Sequence, residues 1–171
     1  MNQEFETQLQ VVQRALGEVV MPALGAAEKH VVEQLHLSIA ALAFMQQRLP
    51  HARRYYRGTT LSYLAMADAI IQLLKDCQEA DSGKLGALVI QGRALLESPT
   101  GDIIDYRHFT EELRVVIAGL AASAQGSPQE TALDSLIIDH SGPILLQERV
   151  WCAPLGFELR PQDLPQADWL R

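Results

Sequence analysis

No stretch of this 171-residue chain is long and apolar enough to span a bilayer. Its most apolar run, Leu35 to Met45, is short and is interrupted by His36 and Ser38. Cysteine is scarce: Cys77 and Cys152 stand alone in sequence and form no ligand-spaced pair. Cys77 is then expected to be a small apolar core residue of a reducing compartment. Basic residues are outnumbered, with 14 Lys+Arg against 21 Asp+Glu and a net charge of −7. That balance argues against nucleic acid as the main partner, because neutralising phosphates takes a broad basic face. Glycine-rich phosphate loops of the Gly-x-Gly-x-x-Gly and Gly-x-x-x-x-Gly-Lys-Ser/Thr kinds are missing, as is a Gly-x-Ser-x-Gly nucleophile elbow. No cofactor is implied, and there is no internal repeat or low-complexity segment. The opening Met1-Asn2-Gln3-Glu4-Phe5-Glu6 is acidic where a signal or transit peptide would be basic. The expectation is a cytoplasmic protein with no membrane partner.

What remains is the composition of a folded helical domain, 48% hydrophobic and 20% charged. Phe5, Leu9, Val12, Leu16 and Val19 recur at spacings of four, three, four and three, one stripe of an amphipathic helix. The pattern resumes through Leu24, Val31, Leu35, Leu42, Met45 and Leu49. A single rod over 4–49 would measure roughly 68 Å. A compact chain of this length is only about 40 Å across. Pro22 is therefore expected to break the rod, unless the first helix reaches out to a second copy of the chain.

Thr59 or Thr60 is expected to cap a helix running to about Cys77, with Tyr63, Ala67, Ile70, Leu74 and Cys77 inward. Asp81 or Ser82 suits the start of the next helix, with Leu85, Leu88, Val89, Leu95 and Leu96 inward, ended by Ser98-Pro99-Thr100-Gly101. Tyr106, Phe109, Leu113, Val116, Ile117 and Leu120 predict a helix over about 105–125, stopped by Gly126. Ser127-Pro128-Gln129-Glu130 reads as a capping box with proline at the first helical position. The helix it starts is expected to end near His140, before Gly142-Pro143, where His140 would meet the negative end of the dipole. Ile144 to Trp151 fits a short helix or a strand. Pro154, Pro161 and Pro165 exclude a long helix beyond it, and Leu155, Phe157, Leu159, Leu164 and Trp169 are too apolar for a free tail.

The fold class is thus all-α: a five- to six-helix bundle over 1–150, with an extended, proline-containing C-terminal arm over 151–171. The arm is expected to pack on the bundle or on a partner subunit. Apolar stripes in excess of what one small chain covers predict a homodimer.

Four of the 14 basic residues, Arg48, Arg53, Arg54 and Arg57, fall in one short run with Tyr55 and Tyr56. Guanidinium forks suit phosphate or carboxylate, and tyrosines add hydroxyls and ring faces. A loop carrying Arg53, Arg54, Tyr55, Tyr56 and Arg57 onto a helix N-terminus near Thr59 would make an anion site. The bland alternative is a solvated loop whose arginines pair with Asp102, Asp105, Glu111 or Glu112. Asp68, between Leu64 and Ile71 on one helix flank, is expected to be buried beside a basic-loop cation or a tyrosine hydroxyl. In a ligand site it would be the candidate acid or base.

Glu33-Gln34-Leu35-His36 and Asp105-Tyr106-Arg107-His108 match the acidic-x-x-His spacing of ferritin-like di-iron bundles. Glu33 and His36 project away from the Val31, Leu35, Leu42, Met45 seam, however, and Asp105 is explained as an N-cap. Three functional readings follow, in descending order of support. The first is a non-enzymatic interaction or accessory protein. The second is a binder, or minor enzyme component, for a small anionic metabolite bearing phosphate or carboxylate. The third is a ferritin-like metal protein. An acidic protein is a further possible partner of the basic run.

Overall fold

Glycine, not proline, stops the first helix. In the computed structural model, which describes residues 4–25, 28–75 and 80–167 (backbone alone at 80–82), α1 is Phe5–Arg14. It continues through a π-turn, Ala15–Val20, and a last piece, Met21–Ala23. Met21 N–H donates to Leu16 O, five residues back. That wider turn accommodates Pro22, which has no N–H of its own to give. Gly25 then adopts φ +53°, a left-handed stop that a side chain would strain. The break expected at Pro22 therefore lies three residues later.

Five further helices follow among the described residues: α2 Lys29–Arg48, α3 Ala52–Leu73, α4 Ala80–Glu97, α5 Ile103–Ser123 and α6 Glu130–Cys152. A 3₁₀ turn, Leu49–His51, joins α2 to α3, and two more, Ala153–Leu155 and Pro161–Asp163, occupy the C-terminal segment. No strand occurs among the described residues, so the fold is all-α. None of these helices is long and apolar enough to cross a membrane.

The chain divides into two compact units. One comprises Ala52–Glu148 with Pro165–Arg171 and holds the core. There Leu64, Ala67, Ile70 and Leu74 meet Leu85, Leu88 and Val89 of α4, then Phe109, Leu113, Val116, Ile117 and Leu120 of α5. Leu133 and Ile144 of α6 complete it. Every apolar residue expected to line α5 is buried. α4 crosses its neighbours at Gly92, where a Cβ would stand only 2.4 Å from the Phe109 ring and 2.7 Å from Leu64. Only glycine fits that approach. Asp102 caps α5: its carboxylate accepts from the N–H groups of Ile104 and Asp105, and Asp105 returns a bond to the Asp102 N–H. Asp105 is thus the third helical residue and not the cap. At the start of α6, Ser127 Oγ accepts from Gln129 N–H, while Glu130 accepts from Gly126 N–H and not from the Ser127 N–H of a standard box.

The other unit comprises Met1–His51 with Arg149–Leu164. α1 folds back along α2, tied by a Gln13–Gln46 side-chain hydrogen bond of 2.9 Å. Half-buried positions of α2 are Val32, Leu35, Ile39 and Leu42, whereas Val31 and Met45 of the expected seam are exposed.

Two corrections concern helix ends. α3 begins at Ala52, so Thr59 and Thr60 are interior residues and not caps. Their hydroxyls donate back to the carbonyls of Tyr55 and Tyr56. α6 runs through Pro143 to Cys152, past the stop expected at Gly142-Pro143. His140 is accordingly within the helix. Cys77 and Trp169 lie outside the described residues, as do the side chains of Asp81 and Ser82.

Candidate functional site

Helical backbone through 52–73 splits the predicted anion cluster by face. Residues of an α-helix advance by about 100° each, so Arg53 and Arg57 share one side while Tyr56, Thr59 and Tyr63 share another. Arg53 Nε donates to Gly101 O at 3.0 Å, and Arg57 Nη2 donates to Leu96 O at 3.2 Å. These carbonyls belong to the last turn of α4 and the loop after it, where orphan acceptors and the negative dipole end favour cations. The acidic partners expected for these arginines are therefore replaced by backbone oxygens. Arg54 is exposed. The helix N-terminus expected near Thr59 is not there, because the N–H groups of that stretch are already inside α3.

Tyr55 and Tyr56 face elsewhere. Tyr55 is buried and meets the Tyr56 ring edge-on, with centroids 5.1 Å apart. They line a groove of about 190 Å³ with Thr59 and Tyr63 of α3, Arg107, Thr110, Glu111 and Arg114 of α5, and Glu148 of α6. The Arg107 guanidinium stands 5.9 Å from the Tyr56 ring centroid, and Arg114 stands 5.9 Å from that of Tyr63. Arg107 approaches Glu111 at 4.0 Å; Arg114 makes no ion pair among the described residues. Burial pushes the Tyr63 hydroxyl above its ordinary pKa and Glu148 adds to this, with Arg114 opposing. Beneath the groove, Thr60 and Thr110 share a buried hydroxyl–hydroxyl bond of 3.1 Å between α3 and α5. Two arginines, three phenols and two carboxylates thus alternate along one open channel.

Arg107 and Arg114 were not singled out from sequence. The available signal was their spacing: Arg107, Thr110, Glu111 and Arg114 form one polar strip along the flank of the buried row of α5.

Asp68 is half-exposed, not buried, and its partner is neither in the basic run nor a tyrosine. Arg93 Nη2 on α4 reaches both carboxylate oxygens, at 2.9 and 2.8 Å. The pair is a surface clasp between α3 and α4. Of the acidic-x-x-His pairs, Glu33 is exposed and meets Lys29 at 3.6 Å, and Asp105 serves the α5 cap. No group of three metal-ligating side chains forms among the described residues.

In the first unit Arg48 is 7% exposed. Its Nε donates to Trp151 O at 2.9 Å and its Nη2 to Val150 O at 3.0 Å, and it lies 5.7 Å from the Trp151 ring centroid. Arg48 thereby satisfies the last carbonyls of α6 and anchors the start of the arm; burial holds its guanidinium below the ordinary pKa. Phe44 packs edge-on against the same tryptophan, with centroids 6.1 Å apart. α1 itself has no buried residue. Leu9 and Leu16 turn toward α2, but Phe5, Val12 and Val19 of the same stripe are exposed, Phe5 to 85%.

Compared with protein-family models, curated proteins and solved structures, the chain has no match.

Proposed function

We propose that the protein is a non-enzymatic interaction or accessory protein that acts as a homodimer in the cytoplasm. The observation that carries this reading is the half-used stripe of α1. Its apolar residues alternate by four and three, the spacing of a seam that packs between two neighbouring helices. α2 takes Leu9 and Leu16, while Phe5, Val12 and Val19, each seven residues from the next, remain in water. Apolar rows of this kind mark association surfaces, and a second copy supplies a matching one. An exposed Cys152 suits a reducing compartment. Light scattering and sedimentation at micromolar concentration test the proposal. A dimer is expected, weakened by Val12→Glu and Val19→Glu; a monomer at tens of micromolar would remove the reading.

A second reading, binding of a small anionic metabolite, is favoured by one observation: Arg114 faces the Tyr56–Tyr63 groove and makes no ion pair among the described residues. The anion would then sit on Arg107 and Arg114 with Tyr55 and Tyr56, and Arg53, Arg57 and Asp68 have no part in it. A thermal-shift screen of nucleotides, coenzyme A esters and organic acids tests this. Stabilisation is expected to vanish in Arg114→Ala; a flat response to every anion refutes it.

A further inference from the structure

The C-terminal arm of the first unit presents two large apolar side chains on a fixed mount. Gly156 turns the chain with φ +83° directly after the 3₁₀ turn Ala153–Leu155. Two residues on, Glu158 is clasped by Arg149 of the last turn of α6, through Nε at 2.9 Å and Nη2 at 3.0 Å. The bonds from Arg149 hold the Glu158 carboxyl below the ordinary glutamate pKa. With Glu158 drawn inward, its neighbours point out: Phe157 is 79% exposed and Leu159 is 95% exposed. The clasp and the Gly156 turn hold the backbone on either side of Phe157, and the clasp lies directly before Leu159.

The same unit carries a groove of about 600 Å³ lined by Phe5, Leu9, Leu49 and Pro50, with Gln46 and the carboxylates of Glu4 and Glu6 beside them. Its apolar floor suits an apolar anchor, and its two acids suit a flanking cation. The arm has that order of chemistry, Phe157 and Leu159 followed by Arg160.

We infer that this groove receives the Phe157–Arg160 hook of a second copy, reciprocally, so that two arms and two grooves close a two-fold dimer. Leu159 and Phe157 enter between Phe5, Leu9 and Leu49, and Arg160 meets Glu4 and Glu6. A chain's own arm does not fill its own groove, because the Arg149–Glu158 clasp holds the hook outward at its root. A two-fold pair needs no such release, since each copy brings its groove to the other's hook. The inference rests on the homodimer reading and adds a second contact to it, beside the exposed α1 row.

Sedimentation equilibrium of the full chain separates the two. A monomeric wild type would overturn both the reading and the inference. If the wild type dimerises, Phe157→Ser/Leu159→Ser is expected to raise the dimer Kd by at least about tenfold, the usual effect of truncating a buried anchor. Both residues are exposed in the single chain, so the far-UV spectrum and melting of the variant's monomer should match the wild type's. An unchanged Kd in this variant overturns the hook while leaving the dimer. Arg160→Glu should also weaken the dimer, and Glu4→Arg/Glu6→Arg in the same chain should restore it; weakening without restoration counts against the groove as the receiving surface. Finally, a disulfide between Leu159→Cys and Leu9→Cys, in a Cys77→Ser/Cys152→Ser background, should join two chains placed one on each. Closure within one doubly substituted chain, with none between chains, would overturn the exchange.

Discussion

Tyr106 offers the sharpest test of the packing described for the core. Its side chain is fully buried, and its hydroxyl has no hydrogen-bond partner among the described residues. A buried donor left unpaired costs about 1–3 kcal/mol in lost hydration. Removing one oxygen from a closely packed ring forfeits only a few contacts of about 0.1–0.2 kcal/mol each. Tyr106→Phe is therefore expected to stabilise the protein by about 1 kcal/mol, or about 2–4 °C in Tm for a chain of this size. Gly101 supplies the cross-check. A Cβ there would lie 3.0 Å from the Tyr106 hydroxyl and 3.2 Å from Leu95 O. Gly101→Ala alone should cost about 1–3 kcal/mol by overpacking. In the Tyr106→Phe background that cost should shrink by at least about 0.5 kcal/mol, because the closest clash is gone. Urea denaturation followed by far-UV circular dichroism measures all four corners of the cycle. A loss of more than about 1 kcal/mol in Tyr106→Phe would show that the hydroxyl is bonded after all. Additive effects of the two substitutions would show that Gly101 and Tyr106 are not in contact.

Three further outcomes are expected. Arg48→Ala leaves the Val150 and Trp151 carbonyls without their donor and should cost the first unit about 2–3 kcal/mol, read by Trp151 fluorescence in a Trp169→Phe background. Asp68→Asn removes only an exposed clasp to Arg93, so its cost should stay within about 1 kcal/mol and shrink in high salt; a larger, salt-insensitive loss would contradict a surface role. The Glu158 carboxyl, held low by Arg149, contributes its clasp in full above the ordinary glutamate pKa of about 4.3 and loses it as pH falls through its own lower value. Carboxyl carbon-13 titration should place the Glu158 midpoint below that value in the wild type and return it upward in Arg149→Ala.

Much of the second unit was legible because a single helix face decides it. The α5 row Tyr106, Phe109, Leu113, Val116, Ile117 and Leu120 follows the helical period and is buried throughout. Gly126 was readable from local chemistry alone, whereas the Ser127–Glu130 box was only half so: α6 starts at Glu130, two residues past Pro128, and Glu130 accepts from Gly126 N–H. The arginine–tyrosine cluster was not, because adjacency in sequence was read as adjacency in space. Once 52–58 is helical, Arg53 and Arg57 turn to the α4 end while Tyr56 joins Thr59 and Tyr63. Thr59 and Thr60 invited a cap assignment because threonine favours caps, yet a threonine hydroxyl bonds equally well to the carbonyl four residues back. For the first unit the pattern of α1 was legible, but which of its two flanks α2 would cover was not, since both flanks are apolar.

Pro143 shows why local stop signals mislead when tertiary burial opposes them. A proline in a helix interior costs about 3 kcal/mol, and Gly142 before it adds about 1 kcal/mol. On those values alone α6 would end at His140. Beyond the proline, however, Ile144, Val150 and Trp151 are all buried. Each such side chain contributes about 1.5–3 kcal/mol when withdrawn from water. Arg48 adds two charge-assisted bonds to the final carbonyls. The gain of continuing the helix thus exceeds the cost of the proline. The weights change if the far end is loosened: Trp151→Ala and Arg48→Ala together should let α6 fray back toward Pro143, read as amide exchange spreading from 152 to 143. Exchange that stays confined to the last turn would mean that the helix beyond Pro143 is held by something other than these contacts.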